Sequence, residues 1–116
     1  MTASRAAGRA ITLDRTSGIA DGLLAVRPGD LTFEHVQALV DDIITVKEEE
    51  ILEAMRRLAL RARLVAEPSG AVTFAAHLFH REELPASLLT VAVISGGNVD
   101  PARYAALIAR GEAAGC

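Results

Sequence analysis

The sequence has little cysteine and few aromatic residues. It contains one Cys, one Tyr, three Phe and no Trp among 116 residues, and its net charge is −3. Because the single cysteine is the last residue, Cys116, we expect neither a disulfide framework nor a cysteine-based metal site, which is typical of the reducing cytoplasm. With few rings to stack on bases and no basic cluster, the composition disfavours nucleic-acid binding.

Long apolar runs are missing as well. The longest uncharged run, residues 84–99, contains Pro85 and two glycines and is too short to cross a bilayer. The first nine residues are alanine-rich but are interrupted by Arg5, Gly8 and Arg9, so they do not resemble a signal peptide. We therefore expect a cytoplasmic protein with no membrane contact.

What is present is typical of one folded domain. An apolar content of 51% in 116 residues suits a single domain with one core better than a disordered chain. Strand-like and helix-like patterns alternate along the chain, which indicates the α/β class. A helix end is predicted at Gly8. The predicted strands are residues 10–13, 43–46 and 89–94, and the predicted helices are residues 32–40, 48–64, 68–81 and 101–109.

Polar residues near the helix ends have simple structural interpretations. Asp30 or Thr32 is a candidate N-cap of the helix at 32–40. The three glutamates at 48–50 suit the positive end of the next helix dipole and are expected to be solvated. His77 and His80 lie one helical turn apart, but without a third ligand in view we expect a solvated helix face and no metal.

The predicted strand at 89–94 ends in a glycine turn, Ser95-Gly96-Gly97-Asn98. In open α/β sheets, ligands bind beyond the carboxyl ends of parallel strands, and glycines there let a ligand approach the backbone closely. Taken alone, this pattern is more often a plain turn than a ligand site.

Three segments carry a family resemblance: Ile19-Ala20-Asp21-Gly22-Leu23, Leu64-Val65-Ala66-Glu67-Pro68-Ser69-Gly70-Ala71 and Ile94-Ser95-Gly96-Gly97-Asn98-Val99-Asp100. In this order and spacing they resemble the catalytic domain of pyridoxal-phosphate-dependent threonine and serine dehydratases and their serine racemase relatives, over about residues 3–107. The resemblance implies the tryptophan synthase beta-like fold (fold type II), here as a partial three-layer α/β sandwich with a mostly parallel sheet. Residues 1–116 would then be one partial domain, the carboxyl-terminal part of the catalytic domain.

The resemblance also implies roles at the cofactor, pyridoxal 5'-phosphate. Ser95 would hydrogen-bond the pyridine nitrogen, and Gly96 and Gly97 would shape the turn. Gly22 would let the backbone pass beside the ring, and Glu67 would face the active site. A hydroxyl does not hold that nitrogen protonated as a carboxylate would, which favours loss of a β-hydroxyl. From the residues alone, Gly22 is equally well a turn glycine and Glu67 a first-turn carboxylate.

The most informative shortage in the sequence is that of lysine, which occurs once. The family's enzymes need a lysine that forms a Schiff base with the cofactor, and the only lysine, Lys47, precedes three glutamates in a segment unlike the family's Ser-Phe-Lys motif. The family's glycine-rich phosphate loop, its substrate loop and its cation site are not found either. By resemblance, we expect part of an enzyme that eliminates water from serine or threonine, a small amino-acid substrate, and no catalytic residue or activity in this chain alone.

A second hypothesis is a stand-alone, non-catalytic α/β module that associates with a full-length enzyme of this kind. If the chain is instead part of a larger domain, a parallel sheet without its neighbour has an open edge and uncovered apolar helix faces. We therefore expect self-association or a homo-oligomer.

Overall fold

A computed structural model describes residues 1–111 and shows helices joined by irregular segments. The chain divides into two compact units, the first made of residues 1–18 and 22–43, the second of residues 19–21 and those from 44 onward. Within the described residues, no helix is long and apolar enough to cross a membrane. The helices are α1 (Thr2–Ala6), α2 (Asp30–Leu39), α3 (Glu48–Arg57), α4 (Pro68–Phe79) and α5 (Pro101–Gly111), with a π-helical turn at Leu58–Ala62 and 3-10 turns at Asp21–Leu23 and Arg81–Glu83.

In the first unit, α1 is short and is held by polar contacts. Two residues after α1 ends, Gly8 has a φ of +66°, a left-handed conformation that glycine adopts without steric penalty. The buried hydroxyl of Ser4 accepts a hydrogen bond from the N–H of Ile11 at 3.1 Å. The guanidinium of Arg5 donates to the carbonyl of Asp41 at 2.5 Å. The predicted helix end at Gly8 is confirmed.

The start of α2 differs from the prediction. Gly29 is the N-cap, and no side chain accepts a hydrogen bond from the first turn. The capping role predicted for Asp30 or Thr32 is therefore wrong. Asp30 instead forms an ion pair with Arg27, three residues earlier, which draws its carboxylate away from the helix amides.

The second unit packs α3, α4 and α5 around one apolar core. In α3 the apolar residues recur at helical spacing, so one face is buried and the arginines and glutamates lie on the others. Met55 is fully buried, and burying such a side chain contributes about 1.5–3 kcal/mol. The buried residues of this core are Ile51, Leu52, Ala54, Met55, Leu58, Ala66, Ala71, Ala75 and Leu107.

None of the three predicted strands forms a hydrogen-bonded ladder within residues 1–111. Along the last of them, Ala92 and Ile94 are partly covered whereas Val91 and Val93 are exposed, as in an extended chain with one covered face. A strand is defined by a ladder of hydrogen bonds to a neighbouring extended segment. The N–H of Leu13 donates one backbone hydrogen bond to the carbonyl of Val26 at 2.9 Å, but this bond does not extend into a ladder in the described part of the chain. The predicted helices are thus present, while the parallel sheet is not seen.

A charged cluster joins the start of α3 to the end of α4. The Glu50 carboxylate accepts a hydrogen bond from the backbone N–H of Lys47 at 2.8 Å and lies 2.9 Å from Nε2 of His80. Nδ1 of His80 lies 2.6 Å from the carboxylate of Glu83. The side chains of Glu50 and His80 are only 16% and 19% exposed. The prediction that both are solvated is wrong because each is the other's partner across the two helices.

This cluster makes the free energy of unfolding depend on pH. The hydrogen bonds to Glu50 and Glu83 raise the pKa of His80 above its ordinary value. Burial raises the pKa of Glu50, but the hydrogen bonds from the Lys47 N–H and from His80 outweigh burial and hold that pKa below its ordinary value. The His80 contribution is complete below the unfolded pKa of about 6.5 and is lost as pH rises through the folded pKa. The Glu50 contribution is lost only as pH falls through its lowered pKa.

We expect His80→Gln to remove this stabilisation near neutral pH. As the pH rises above the unfolded pKa of about 6.5, the free energy of urea unfolding should fall more steeply for the wild type than for His80→Gln, because only the wild type loses the imidazolium. His35, exposed on α2, provides the matched control, and His35→Gln should keep the wild-type slope. Equal slopes for wild type and His80→Gln would contradict the prediction.

Candidate functional site

The glycine turn after residue 94 lies against the start of α4. The N–H of Glu67 donates a hydrogen bond to the carbonyl oxygen of Gly96 at 3.0 Å, and the N–H of Val99 donates to the carbonyl of Gly97 at 3.1 Å. Glu67 is the N-cap of α4, and Pro68 occupies the first helical turn, where its missing N–H leaves no hydrogen bond unmade. Backbone contacts therefore fix the turn to the helix start.

A side chain at either glycine of the turn would collide with a neighbouring residue in its present position. A Cβ on Gly97 would lie 2.6 Å from the carbonyl oxygen of Val65, and a Cβ on Gly96 would lie 2.9 Å from Cδ of Glu67, although real Cβ contacts essentially never fall below 3.0 Å. The carboxylate of Glu67 can rotate away from a side chain at position 96. The backbone of Val65 can yield only if the turn itself shifts, so Gly97 is the stricter requirement.

Sequence reasoning missed two residues of this contact. A Cβ on Gly70, in the first turn of α4, would lie 2.8 Å from the amide nitrogen of Gly96. One helical turn later, the hydroxyl of Thr73 donates to the carbonyl of Val93 at 2.7 Å. A signal for Gly70 was available, since glycine is a poor helix former and its presence within a helix indicates a close approach of another segment. Thr73 carries no comparable signal.

Ser95 presents its hydroxyl to solvent at this turn. Its side chain is exposed, and within residues 1–111 no hydrogen bond joins its hydroxyl to another group. Asn98 is exposed too, and Glu67 is half-buried beside Gly96. Four of the predicted cofactor-binding residues, Ser95, Gly96, Gly97 and Glu67, are thus brought together.

The other residues singled out in the sequence do not lie at the glycine turn. Gly22, in the first unit, is exposed within the 3-10 turn Asp21–Leu23. Lys47 is exposed directly before α3, without the apolar surroundings that activate a lysine amine. The ring of His77 stacks on that of Phe74, with centroids 6.4 Å apart. Among the residues that the structure describes, no group of three or more His, Cys, Asp or Glu side chains could hold a metal ion.

The arrangement forms a polar surface on the helical second unit. A hydroxyl without a protein partner, a turn whose glycines carry no side chains and a neighbouring carboxylate offer polar contacts beside an open backbone. Such a surface suits the edge of a flat, polar small molecule.

A comparison with known families identifies the class of protein. Residues 1–96 match the family described as pyridoxal-phosphate dependent enzyme. The match covers well over half of the chain, and the chain belongs to this family. Pyridoxal phosphate is the cofactor that defines the family.

Individual relatives are similar over most of this chain but over a small part of their own. The catabolic L-threonine dehydratase of Escherichia coli K12 is 45% identical over 95 residues, 80% of this chain and 29% of that protein. Serine racemase of Schizosaccharomyces pombe is 39% identical over 98 residues, 84% of this chain and 30% of that protein. The processed form of threonine deaminase isoform 2 of Solanum lycopersicum is 28% identical, with a TM-score of 0.84 over 99% of this chain and 33% of that one. The chain has the fold of the corresponding part of these enzymes and spans about a third of their length.

Proposed function

We propose that this chain is the carboxyl-terminal part of the catalytic domain of a pyridoxal-phosphate-dependent threonine or serine dehydratase, and that it forms one wall of the cofactor site. The observation that carries the proposal is the exposed Ser95 hydroxyl on a turn anchored to α4 by Glu67 and Gly96. Membership in the pyridoxal-phosphate dependent enzyme family and the similarity to L-threonine dehydratase support it.

The residues of the turn fit the cofactor ring. In the proposed site the Ser95 hydroxyl would donate a hydrogen bond to the pyridine nitrogen, Gly96 and Gly97 would shape the turn, and Glu67 would face the site near the ring. Bound pyridoxal phosphate supplies the electron sink for removal of an amino acid's α-proton. Since a neutral hydroxyl does not hold the pyridine nitrogen protonated, Ser95 suits elimination of a β-hydroxyl group.

The chain contributes to this reaction without completing it. The proposed reaction eliminates water from serine or threonine, and hydrolysis of the released enamine by water then gives a 2-oxo acid and ammonia. Lys47 is exposed and precedes three glutamates, so it does not replace the lysine that holds the cofactor in the family. The remaining active-site wall would come from further polypeptide of the enzyme.

A hybrid enzyme tests the proposal. Residues 3–107 of this chain would replace the matching segment of the Escherichia coli L-threonine dehydratase. We expect the hybrid to bind pyridoxal phosphate and to release 2-oxobutyrate from threonine, whereas the chain alone releases none. Ser95→Ala in the hybrid should lower kcat by about fivefold or more, since the lost hydrogen bond of about 1 kcal/mol acts on the electron sink and about 1 kcal/mol corresponds to about fivefold in rate.

Ser87→Ala is the matched control for the hybrid. Ser87 is exposed, and its hydroxyl donates to the carbonyl of Leu89 rather than to the glycine turn. The control should keep the hybrid's kcat. Release of a 2-oxo acid by the chain alone, or equal kcat values for Ser95→Ala and Ser87→Ala, would count against the proposal.

A second candidate function is a non-catalytic module that associates with a full-length enzyme of the family. The exposed side chains of Leu89 and Val91 favour it, because adjacent uncovered apolar residues are typical of a surface that another polypeptide covers. The hybrid separates the two candidates, since a module would give a folded, cofactor-loaded hybrid without dehydratase activity.

A further inference from the structure

A groove rich in arginine lies along the second half of α3 and the π-helical turn that follows it. Its volume is about 550 Å³. The described lining residues follow a spacing of three and four residues, so they share one helix face. Three guanidinium groups and one carboxylate give this face an excess of two positive charges. The residues, hereafter the arginine groove, are Glu53, Arg56, Arg57, Leu60 and Arg61.

Glu53 orients two of the arginines. Its carboxylate accepts hydrogen bonds from Nε of Arg56 at 3.0 Å and from Nε of Arg57 at 2.6 Å. The Glu53 side chain is only 13% exposed. Burial raises the pKa of Glu53, but the bonds from both arginines outweigh burial and keep the carboxyl ionised at neutral pH. One fixed carboxylate therefore holds two guanidinium groups side by side.

This arrangement leaves the terminal amino groups of both guanidiniums available. Only the Nε atoms bond to Glu53, and within residues 1–111 no hydrogen bond engages the terminal nitrogens of Arg56 or Arg57. The guanidinium of Arg57 also lies 6.0 Å from the ring centroid of Phe79, a distance suited to a cation–π contact that limits its movement. Paired planar guanidiniums with free amino groups match the oxygens of phosphate groups.

The π-helical turn adds the third cation. Leu58–Ala62 is π-helical, and such turns are rare and frequent at functional sites. Arg61 lies within it and forms no hydrogen bond or ion pair within the described residues. The turn ends at Arg63 with a φ of +58°, an uncommon conformation for a residue with a side chain.

We propose that the arginine groove binds a small molecule that carries phosphate, preferably a diphosphate. Arg56 and Arg57 bind its oxygens through their terminal amino groups, and Arg61 neutralises the remaining charge. Leu60, 48% exposed, provides an apolar contact for the rest of such a molecule. The site is separate from the glycine turn and does not depend on the proposed dehydratase function.

Titration of the 116-residue chain with inorganic pyrophosphate, followed by calorimetry at moderate salt, tests this site. We expect saturable binding of one pyrophosphate per chain. Arg61→Gln should weaken it about tenfold, the effect of losing one charge-assisted contact. Arg110→Gln on α5, which removes one exposed arginine elsewhere, should change the affinity less than twofold. Absence of saturable binding, or equal losses in the two variants, would overturn the proposal.

Two further binding measurements test whether the arginine groove recognises phosphate groups specifically. The double variant Arg56→Lys/Arg57→Lys keeps both charges but loses the planar amino pairs, so we expect binding to weaken about fivefold or more. Succinate, a dicarboxylate, should bind at least about tenfold more weakly than pyrophosphate. If the lysine variant bound pyrophosphate as tightly as the wild type, or if the wild type bound succinate as tightly as pyrophosphate, the groove would attract any dianion. Either result would overturn the phosphate assignment. Thermal unfolding without ligand shows whether each variant is folded.

Discussion

Gly70→Ala should destabilise the second unit by about 1–3 kcal/mol, although alanine is the better helix former. In an unobstructed helix the same change would stabilise by about 0.5–1 kcal/mol. Here the new Cβ would meet the Gly96 backbone, with the amide nitrogen at 2.8 Å and the carbonyl oxygen closer still. Relief requires the turn to move, which breaks the hydrogen bond from the Glu67 N–H to the Gly96 carbonyl. Overpacking of about 1–3 kcal/mol and a lost hydrogen bond of about 1 kcal/mol outweigh the helix gain.

Amide hydrogen exchange locates this effect at the turn. In Gly70→Ala the Glu67 amide should exchange faster than in the wild type, beyond the change expected from global stability alone. Gly29→Ala is the matched control, because its Cβ would come no closer than 3.4 Å to Thr32 Oγ1. The control should change the free energy of unfolding by less than about 1 kcal/mol. If the free energy of unfolding of Gly70→Ala equalled or exceeded that of the wild type, the glycine turn would be able to shift without loss of stability, and the prediction would be wrong.

The helices were predictable from sequence because their signals are local. Most predicted ends lie within two residues of the observed ones, as at α4, predicted over 68–81 and observed at Pro68–Phe79. The exception is the helix predicted over 48–64, because α3 ends at Arg57 and a π-helical turn continues it to Ala62. Apolar spacing, the acidic first turn of α3 and Pro68 at the start of α4 need no information from distant residues. The π-helical turn at Leu58–Ala62 was not predicted, because its apolar and charged residues continue the pattern of an ordinary helix.

Features that depend on distant partners were predicted less well. The hydrogen bonds of Glu50 and His80 link residues 30 positions apart, and no local pattern indicates them. The β-branched run at 43–46 indicates a strand, but a ladder also requires a neighbouring segment. The strand predicted before the glycines is not formed within residues 1–111, and the packing of Gly96 against Gly70 became evident only in the structure. The cofactor roles of Ser95 and Glu67 remain predictions from the family.

The apolar segment before the turn should make the chain self-associate. Leu88 is fully exposed, and Leu89, Val91 and Val93 are 78%, 77% and 62% exposed. Covering each of these side chains is worth up to about 1.5–3 kcal/mol, and an unpaired extended segment also offers free N–H and C=O groups to a second chain. Against these gains, association costs at least about 4 kcal/mol in lost freedom. The balance favours dimers or larger assemblies as the protein concentration rises.

The double variant Leu89→Lys/Val91→Lys should prevent this association. Lysines on an exposed strand edge repel a second copy and remove the apolar surface. Light scattering of the wild type should give a mass that rises with concentration above the 12.2 kDa monomer, and the variant should stay near 12.2 kDa. The control Leu31→Lys/Leu39→Lys also replaces two exposed apolar side chains with lysines, here on α2, and should associate as the wild type does. A monomeric wild type, or a control that is as monomeric as the variant, would show that residues 88–93 do not form the contact.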